Sequence, residues 1–317
     1  MPQDYVFFKS LIKQSLLGLL FSGTFALQAQ NVPVKQWDKT YGSESTDNLS
    51  VIQQTTDGGY ILGGYNNDDL LPSGDKTHPG LGLYDYWVVK IDAAGNKQWD
   101  KTVGGSADDR LKAVVQTPDG GYLLAGESQS GLSGHKTQPS KGYVDFWLVK
   151  LDANGNKLWD KAFGGNLADI LTCMIATTDG GYLLGGYSNS TISGDKSKSD
   201  IGYYDYWVVK LDANYNKQWD KTLGSGDWDQ LQTLTQTTDG GYLAGGTSSS
   251  GQFADKSEAN RGLNDYWVVK LDAAGNKQWD RTFGGSNHDS FSSFVQSADG
   301  GYLLGGTSMS GISVDKS

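Results

Sequence analysis

One cysteine in 317 residues, Cys173, excludes an internal disulfide framework and any cysteine-based metal cage. It stands in the apolar run 171–175, where a small buried hydrophobe is expected rather than a nucleophile. Basic charge is also scarce. With 26 Lys and Arg against 36 Asp and Glu, the formal charge is -10, and no basic cluster exists to displace counterions from phosphate. That argues against nucleic acid or an anionic membrane as partner and leaves cations as the favoured small ones. There is no Gly-x-Ser-x-Gly elbow, no phosphate loop and no His-Glu-x-x-His. The three histidines, His78, His135 and His288, fall at non-equivalent positions and read as scattered surface residues. No apolar run reaches the roughly 20 residues of a membrane span. The run at 16–27 is broken by Gly18, Ser22 and Gly23.

That run follows Lys9 and Lys13 and precedes small residues around Ala26 and Ala29, the pattern of a secretory signal peptide over 1–29. The mature chain is therefore expected to be secreted or displayed on the outer cell surface, with no transmembrane segment and as a monomer. No cysteine follows the cleavage region, which disfavours a lipid anchor.

What the sequence has in abundance is glycine, 44 residues, and aromatics, 12 %, arranged in a repeat. Trp37, Trp99, Trp159, Trp219 and Trp279 lie 62, 60, 60 and 60 residues apart, and the Asp-Gly-Gly-Tyr words from Asp57, Asp119, Asp179, Asp239 and Asp299 keep the same spacings. Each period reads as four strands: 111–116, an Asp-Gly turn into 122–126, a long loop, then the hairpin 146–151 and 157–163. In that hairpin Asp152 and Gly155 fit a type I turn with Gly left-handed, and Tyr215 replaces this Gly in the third copy at a cost in strain. The third strand is apolar on both faces, as between neighbouring sheets. The fourth alternates Trp with Lys and Asp, charge that on an outermost strand discourages edge pairing.

The fold class expected is all-β, a β-propeller of about five four-stranded antiparallel blades, with a solenoid as the runner-up. The propeller domain covers 31–317, with blade segments at 47–103, 109–163, 169–223, 229–283 and a partial 289–317. The last copy stops before its Asp-Tyr-Trp, so the chain reads as partial. In the smallest ring, 34–41 would be a closing strand beside one lying beyond Ser317.

Asp-Gly-Gly-Tyr-Leu-Leu-Gly-Gly, Asp-Tyr-Trp-Val-Val-Lys-Leu-Asp-Ala-Asn-Gly-Asn-Lys and Trp-Asp-Lys-Thr-Phe-Gly-Gly together resemble the SBBP-type and delta-sixty class of β-propeller repeats. The resemblance covers nearly all of 34–317 and implies export by bacteria that use type IX secretion; the class has no single activity to carry over. The segment 151–159 also resembles the tryptophan-docking motif of quinoprotein propellers, one residue shorter in the turn. That likeness implies only the blade phase, with 111–116 innermost and 157–163 outermost.

In this phase the tight turns share one face and the longer loops the other, where binding residues concentrate. On the loop face an Asp stands ten residues after each marker Trp: Asp47, Asp109, Asp169, Asp229 and Asp289. These carboxylates could bind calcium, a hard cation taking oxygen ligands, or each could cap its own loop through backbone N–H groups; the cap is the favoured reading. The ligand-face residues singled out in the long loops are Asp75, Lys76, His135, Lys136, Asp195, Lys196, Asp255 and Lys256, with Lys316 in the last copy. Tyr84, Tyr143, Tyr203 and Tyr204 nearby could stack on sugars or cover the blade edge. The function expected is a non-catalytic scaffold, without cofactor apart from possible calcium, binding a protein or glycan at the cell surface. The competing expectation is an extracellular carbohydrate-active enzyme or its accessory module, which would need two carboxylates within reach in one pocket formed by the irregular loops 66–84 and 224–230 with Trp228.

Overall fold

The computed structural model describes residues 35–67 and 71–315. The expected signal peptide over 1–29, residues 31–34 of the expected domain and Lys316 lie outside the described residues. Among the described residues, alternating apolar residues and Gly-rich turns give eighteen antiparallel strands and no helix. Blade 1 is β1 (Asp47–Gln54), β2 (Tyr60–Asn67), β3 (Tyr84–Ile91) and β4 (Lys97–Val103). Blade 2 is β5 (Asp109–Gln116), β6 (Tyr122–Ser128), β7 (Asp145–Leu151) and β8 (Lys157–Phe163). Blade 3 is β9 (Asp169–Ala176), β10 (Tyr182–Ser188), β11 (Asp205–Leu211) and β12 (Lys217–Leu223). Blade 4 is β13 (Asp229–Gln236), β14 (Tyr242–Ser248), β15 (Asp265–Leu271) and β16 (Lys277–Phe283), and blade 5 has two strands, β17 (Asp289–Gln296) and β18 (Tyr302–Ser308). Within each full blade the order is that of the chain, and consecutive blades meet through β1, β5, β9, β13 and β17. The protein is a β-propeller with the expected strand phase.

The core lies between blades. One cluster joins Phe146 and Leu148 of blade 2 to Leu171, Trp207 and Val209 of blade 3, and another joins Leu183 and Val208 of blade 3 to Leu231 and Trp267 of blade 4. Close approach demands a small residue on the second strand. A Cβ on Gly185 would come within 2.5 Å of Leu231 and Leu234 of the next blade. Leu49 and Ile52 of blade 1 and Val295 and Leu303 of blade 5 occupy positions that are buried or half-buried in the interior blades, yet they are exposed here.

Of the expected closing strand 34–41, the described residues 35–41 differ from expectation. Residues 35–41 form no ladder, because a strand needs hydrogen-bonding neighbours and no described strand runs beside them. Trp37 and Tyr41 lie instead against the β3–β4 turn: Trp37 Nε1 donates to Ala93 O at 3.1 Å, and the Tyr41 hydroxyl donates to Gly95 O.

The charge on the outer strand also differs. Asp160 of β8 is buried and serves the blade interior. It accepts Trp147 Nε1 at 3.0 Å, Thr137 N at 3.0 Å and Lys157 Nζ at 2.6 Å, with the Thr137 hydroxyl as a further donor. Asp100, Asp220 and Asp280 repeat this, so the aspartates of the fourth strand hold the long loop to the blade instead of protecting an edge.

Candidate functional site

The loop face is built from charged residues that turn inward. Asp169 Oδ2 accepts Gly165 N at 2.7 Å and Ser190 Oγ at 3.0 Å, and its residue is fully buried. Asp109, Asp229 and Asp289 accept from the backbone four residues earlier at 2.6, 2.8 and 2.7 Å, and half-buried Asp47 does so at 2.7 Å. This is the geometry of a loop cap.

A second carboxylate stands beside four of the five. Val144 and Ala168 form a parallel bridge that brings Asp145, first residue of β7, to Asp169, first residue of β9. Asp145 Oδ2 accepts Lys141 N at 2.7 Å, while Oδ1 of Asp145 and Oδ1 of Asp169 are buried without a hydrogen-bond partner. Burial, with the neighbouring Asp169 charge adding to it, pushes Asp145 up to about 6; Asp85 rises to about 6 and Asp205 to about 7 for the same first reason. This Asp of Asp-Tyr-Trp was not among the expected site residues, although its fixed place 24 residues before Asp109, Asp169, Asp229 and Asp289 was a signal for it. Among the described residues no three of His, Cys, Asp and Glu converge as a metal-ligand set.

The long-loop lysines expected on the ligand face are buried. Lys76 Nζ donates to Asn66 Oδ1 at 2.6 Å, Lys196 Nζ to Thr222 Oγ1 at 2.7 Å and Lys256 Nζ to Ser248 Oγ at 2.8 Å, while Lys136 Nζ lies 6.0 Å from the Trp147 ring centroid. Their stems cover apolar surface and their heads find polar atoms of the loop base, which is why they face inward. Burial pulls Lys256 down to about 8. The adjoining aspartates knit blades together in two copies, Asp195 accepting Gly164 N at 3.1 Å and pairing with Lys141, and Asp255 pairing with Lys198 at 2.8 Å; in blade 1 Asp75 accepts Gly42 N at 3.1 Å from the segment before β1.

His135 takes the place of these aspartates in blade 2, and the structure brings it together with His78. Both line a cleft of about 290 Å³ with Lys101 and Lys157, so two of the three histidines are neighbours and not scattered. Gly104 N donates to His135 Nδ1 at 3.4 Å, and burial holds His135 below the usual imidazole range. A cleft of about 300 Å³ on blade 1, lined by Tyr41, Leu49, Leu62, Trp87 and Val89, lies on the sheet face that in interior blades packs on the preceding blade. Its lining is packing surface.

The greatest departure from the repeat on the loop face is aromatic. Tyr203 and Trp228 lie nearly parallel, centroids 6.1 Å apart and planes at 22°, and Tyr204 leans on Trp228 at 5.0 Å with Tyr187 edge-on to it at 5.4 Å. The corresponding places of Trp228 hold Thr46, Asp108, Ala168 and His288. Backbone bonds fix the group: Asp229 N donates to Tyr204 O at 2.7 Å and Ser249 N to Trp228 O at 2.8 Å. At the blade 1–2 junction, by contrast, the Arg110 guanidinium lies 4.8 Å from the Tyr84 ring centroid and pairs with Asp108 at 3.1 Å. Tyr143 remains exposed without such partners.

The fold and this face define a β-propeller repeat protein. No family model matches the chain. It is similar to the regulatory protein FlaEY of Caulobacter vibrioides, 25% identical over 218 residues that are 64% of this chain and 22% of that protein, so the chain spans about a fifth of that relative's length. Among solved structures it is similar to the WD40 domain of Neurospora crassa Pan2, at 12% identity with a TM-score of 0.43, covering 82% of this chain and 60% of that one. It is also similar to hydrazine synthase of Kuenenia stuttgartiensis, at 12% identity and TM-score 0.38, covering 83% and 75%. No helix among the described residues is long and apolar enough to cross a membrane.

Proposed function

We propose that the mature chain is a non-catalytic binding scaffold, exported after removal of a signal peptide near Ala29 through the type IX route of the repeat class it resembles, and that its loop face engages a protein or glycan at the cell surface. One observation carries the reading. The charged residues that recur in every blade on that face are turned inward to hold the loops, so what differs between blades, above all the aromatic group at Tyr203 and Trp228, is what the face offers outward.

The test is binding of labelled full-length protein to native cells, with glycan hydrolysis followed in parallel. Binding that survives Asp152→Ala on the turn face and weakens with substitutions of exposed loop-face side chains is the expected result. Release of reducing ends from a glycan, or loss of binding through the turn face alone, overturns it.

A further inference from the structure

From the Tyr203–Trp228 pair we infer a carbohydrate subsite at the junction of blades 3 and 4, one that takes the C–H face of a sugar ring; the inference rests on the loop-face reading above. Three observations carry it. Tyr203 is 65% and Trp228 44% exposed, in a protein that fully buries Trp147, Trp207 and Trp267 in blade interfaces. Large, two-torsion aromatic side chains held out to water present apolar area at low ordering cost, with a polar tip on each ring. The group is also preorganised: Trp228 N and O are both engaged by Ser249, at 3.2 and 2.8 Å, and the Tyr203 amide donates to Asp227 O at 3.3 Å.

The third observation is shape. A cage for a quaternary ammonium group encloses its ligand with rings on several sides. Here Tyr203 stacks on Trp228 at 22° and Tyr204 lies against Trp228 at 34°, so the rings pack on one another and leave exposed aromatic surface on Tyr203 and Trp228 in place of a box. An exposed aromatic face fits a flat, partly apolar ring that also carries hydroxyls. The side chain of Asp227, half-buried at the rim and without a hydrogen bond among the described residues, is an acceptor for such hydroxyls. The equivalent junction of blades 1 and 2 has its Tyr84 ring covered by Arg110, which keeps that copy from serving the same way.

The experiment is affinity electrophoresis of the full chain through gels containing soluble polysaccharides with β-glucan, xylan, chitin-derived or mannan backbones. Retardation by at least one is expected. Trp228→Ala and Tyr203→Ala should each weaken it about tenfold, the equivalent of about 1.4 kcal/mol. Trp228→Phe should restore most of it, and Tyr143→Ala, at the blade 2 position equivalent to Tyr203, should leave it unchanged. Matching circular dichroism and melting temperature keep the alanine variants interpretable, and the Phe variant serves the same end. No retardation by any polysaccharide, or retardation unaffected by Trp228→Ala, overturns the subsite. Native-cell binding that persists after enzymatic removal of surface glycans overturns it while leaving the loop-face reading standing; absence of cell binding in any form overturns both.

Discussion

The two faces of the propeller use the same side chain in opposite ways. On the turn face Asp119 is mostly exposed and surrounded by donors: the Thr117 hydroxyl, Gly121 N at 3.0 Å and the ammonium of buried Lys150 at 2.9 Å. Those hydrogen bonds, the Thr117 bond first, bring it down to about 2. On the loop face Asp145 and Asp169, like Asp85, Asp109, Asp205 and Asp229, are buried, each with one oxygen engaged and one not, and burial drives them up. The difference teaches that a repeated Asp is a hydrated latch where the turn is tight and a buried keystone where the loop is long.

The largest expected effect comes from breaking that contrast directly. Asp169→Ala leaves Gly165 N and Ser190 Oγ buried without an acceptor and should cost about 3 kcal/mol in urea unfolding. Asp152→Ala on the turn face removes acceptors of Asn154 N at 2.9 Å and Asn156 N at 2.8 Å that water can replace, and should cost under about 1 kcal/mol. Equal losses would show that the loop-face carboxylates are solvated in solution.

The pH dependence sharpens the comparison because the two faces have opposite sign. Asp205, held at about 7 in the fold against an ordinary value near 4, binds its proton more tightly when folded. Stability should therefore fall as pH rises from about 4 to 7, and Asp205→Asn should flatten that slope. Asp119 and Asp57, both held at about 2, contribute stability that is complete above about 4 and lost as pH falls through 2. Melting temperatures should accordingly peak near pH 4 to 5. A monotonic rise from pH 2 to 8 would rule out the raised loop-face carboxylates.

Much of this was legible in the sequence for a physical reason. Period, strand count and turn positions follow from alternation, Asp-Gly words and marker tryptophans, all local properties of the chain, while the blade phase came from the likeness of 151–159 to the tryptophan-docking motif. What was not legible depended on which way a side chain turns. Lys136 and Lys196 read as loop-tip charge, because nothing local says that their stems find apolar surface in the blade. Asp160 read as edge charge because the indole of Trp147 that it serves lies on the neighbouring strand. The aromatic group was half visible: Tyr203, Tyr204 and Trp228 were each noticed, but only folding stacks them.

Tyr215 gives a smaller test. It occupies the hairpin-turn position with φ 62°, where the other full blades have Gly95, Gly155 and Gly275. The left-handed conformation costs a non-glycine residue about 1 to 2 kcal/mol. Its ring stacks on Tyr182 at 5.3 Å and 16° and leans on Trp159 at 4.7 Å, contacts worth about 0.5 to 1.5 kcal/mol each. Strain and stacking nearly cancel, so Tyr215→Gly should shift stability by less than about 1 kcal/mol. A loss well above that would mean that the ring does more than offset its own strain.

The smallest expected effect is that of calcium. Its usual shell is about six to eight oxygens. In the pairs Asp85 and Asp109, Asp145 and Asp169, and Asp205 and Asp229 the two carboxylates leave only their Oδ1 atoms uncommitted, and the charge of Lys196 is felt by both Asp169 and Asp205 of its blade, raising the cost of a second cation there. Millimolar calcium followed by chelator should therefore leave the melting temperature unchanged. A rise that Asp109→Asn and Asp169→Asn abolish would reverse the assignment, because a ligand that binds only the folded state must stabilise it, and would turn the paired aspartates from caps into a metal site.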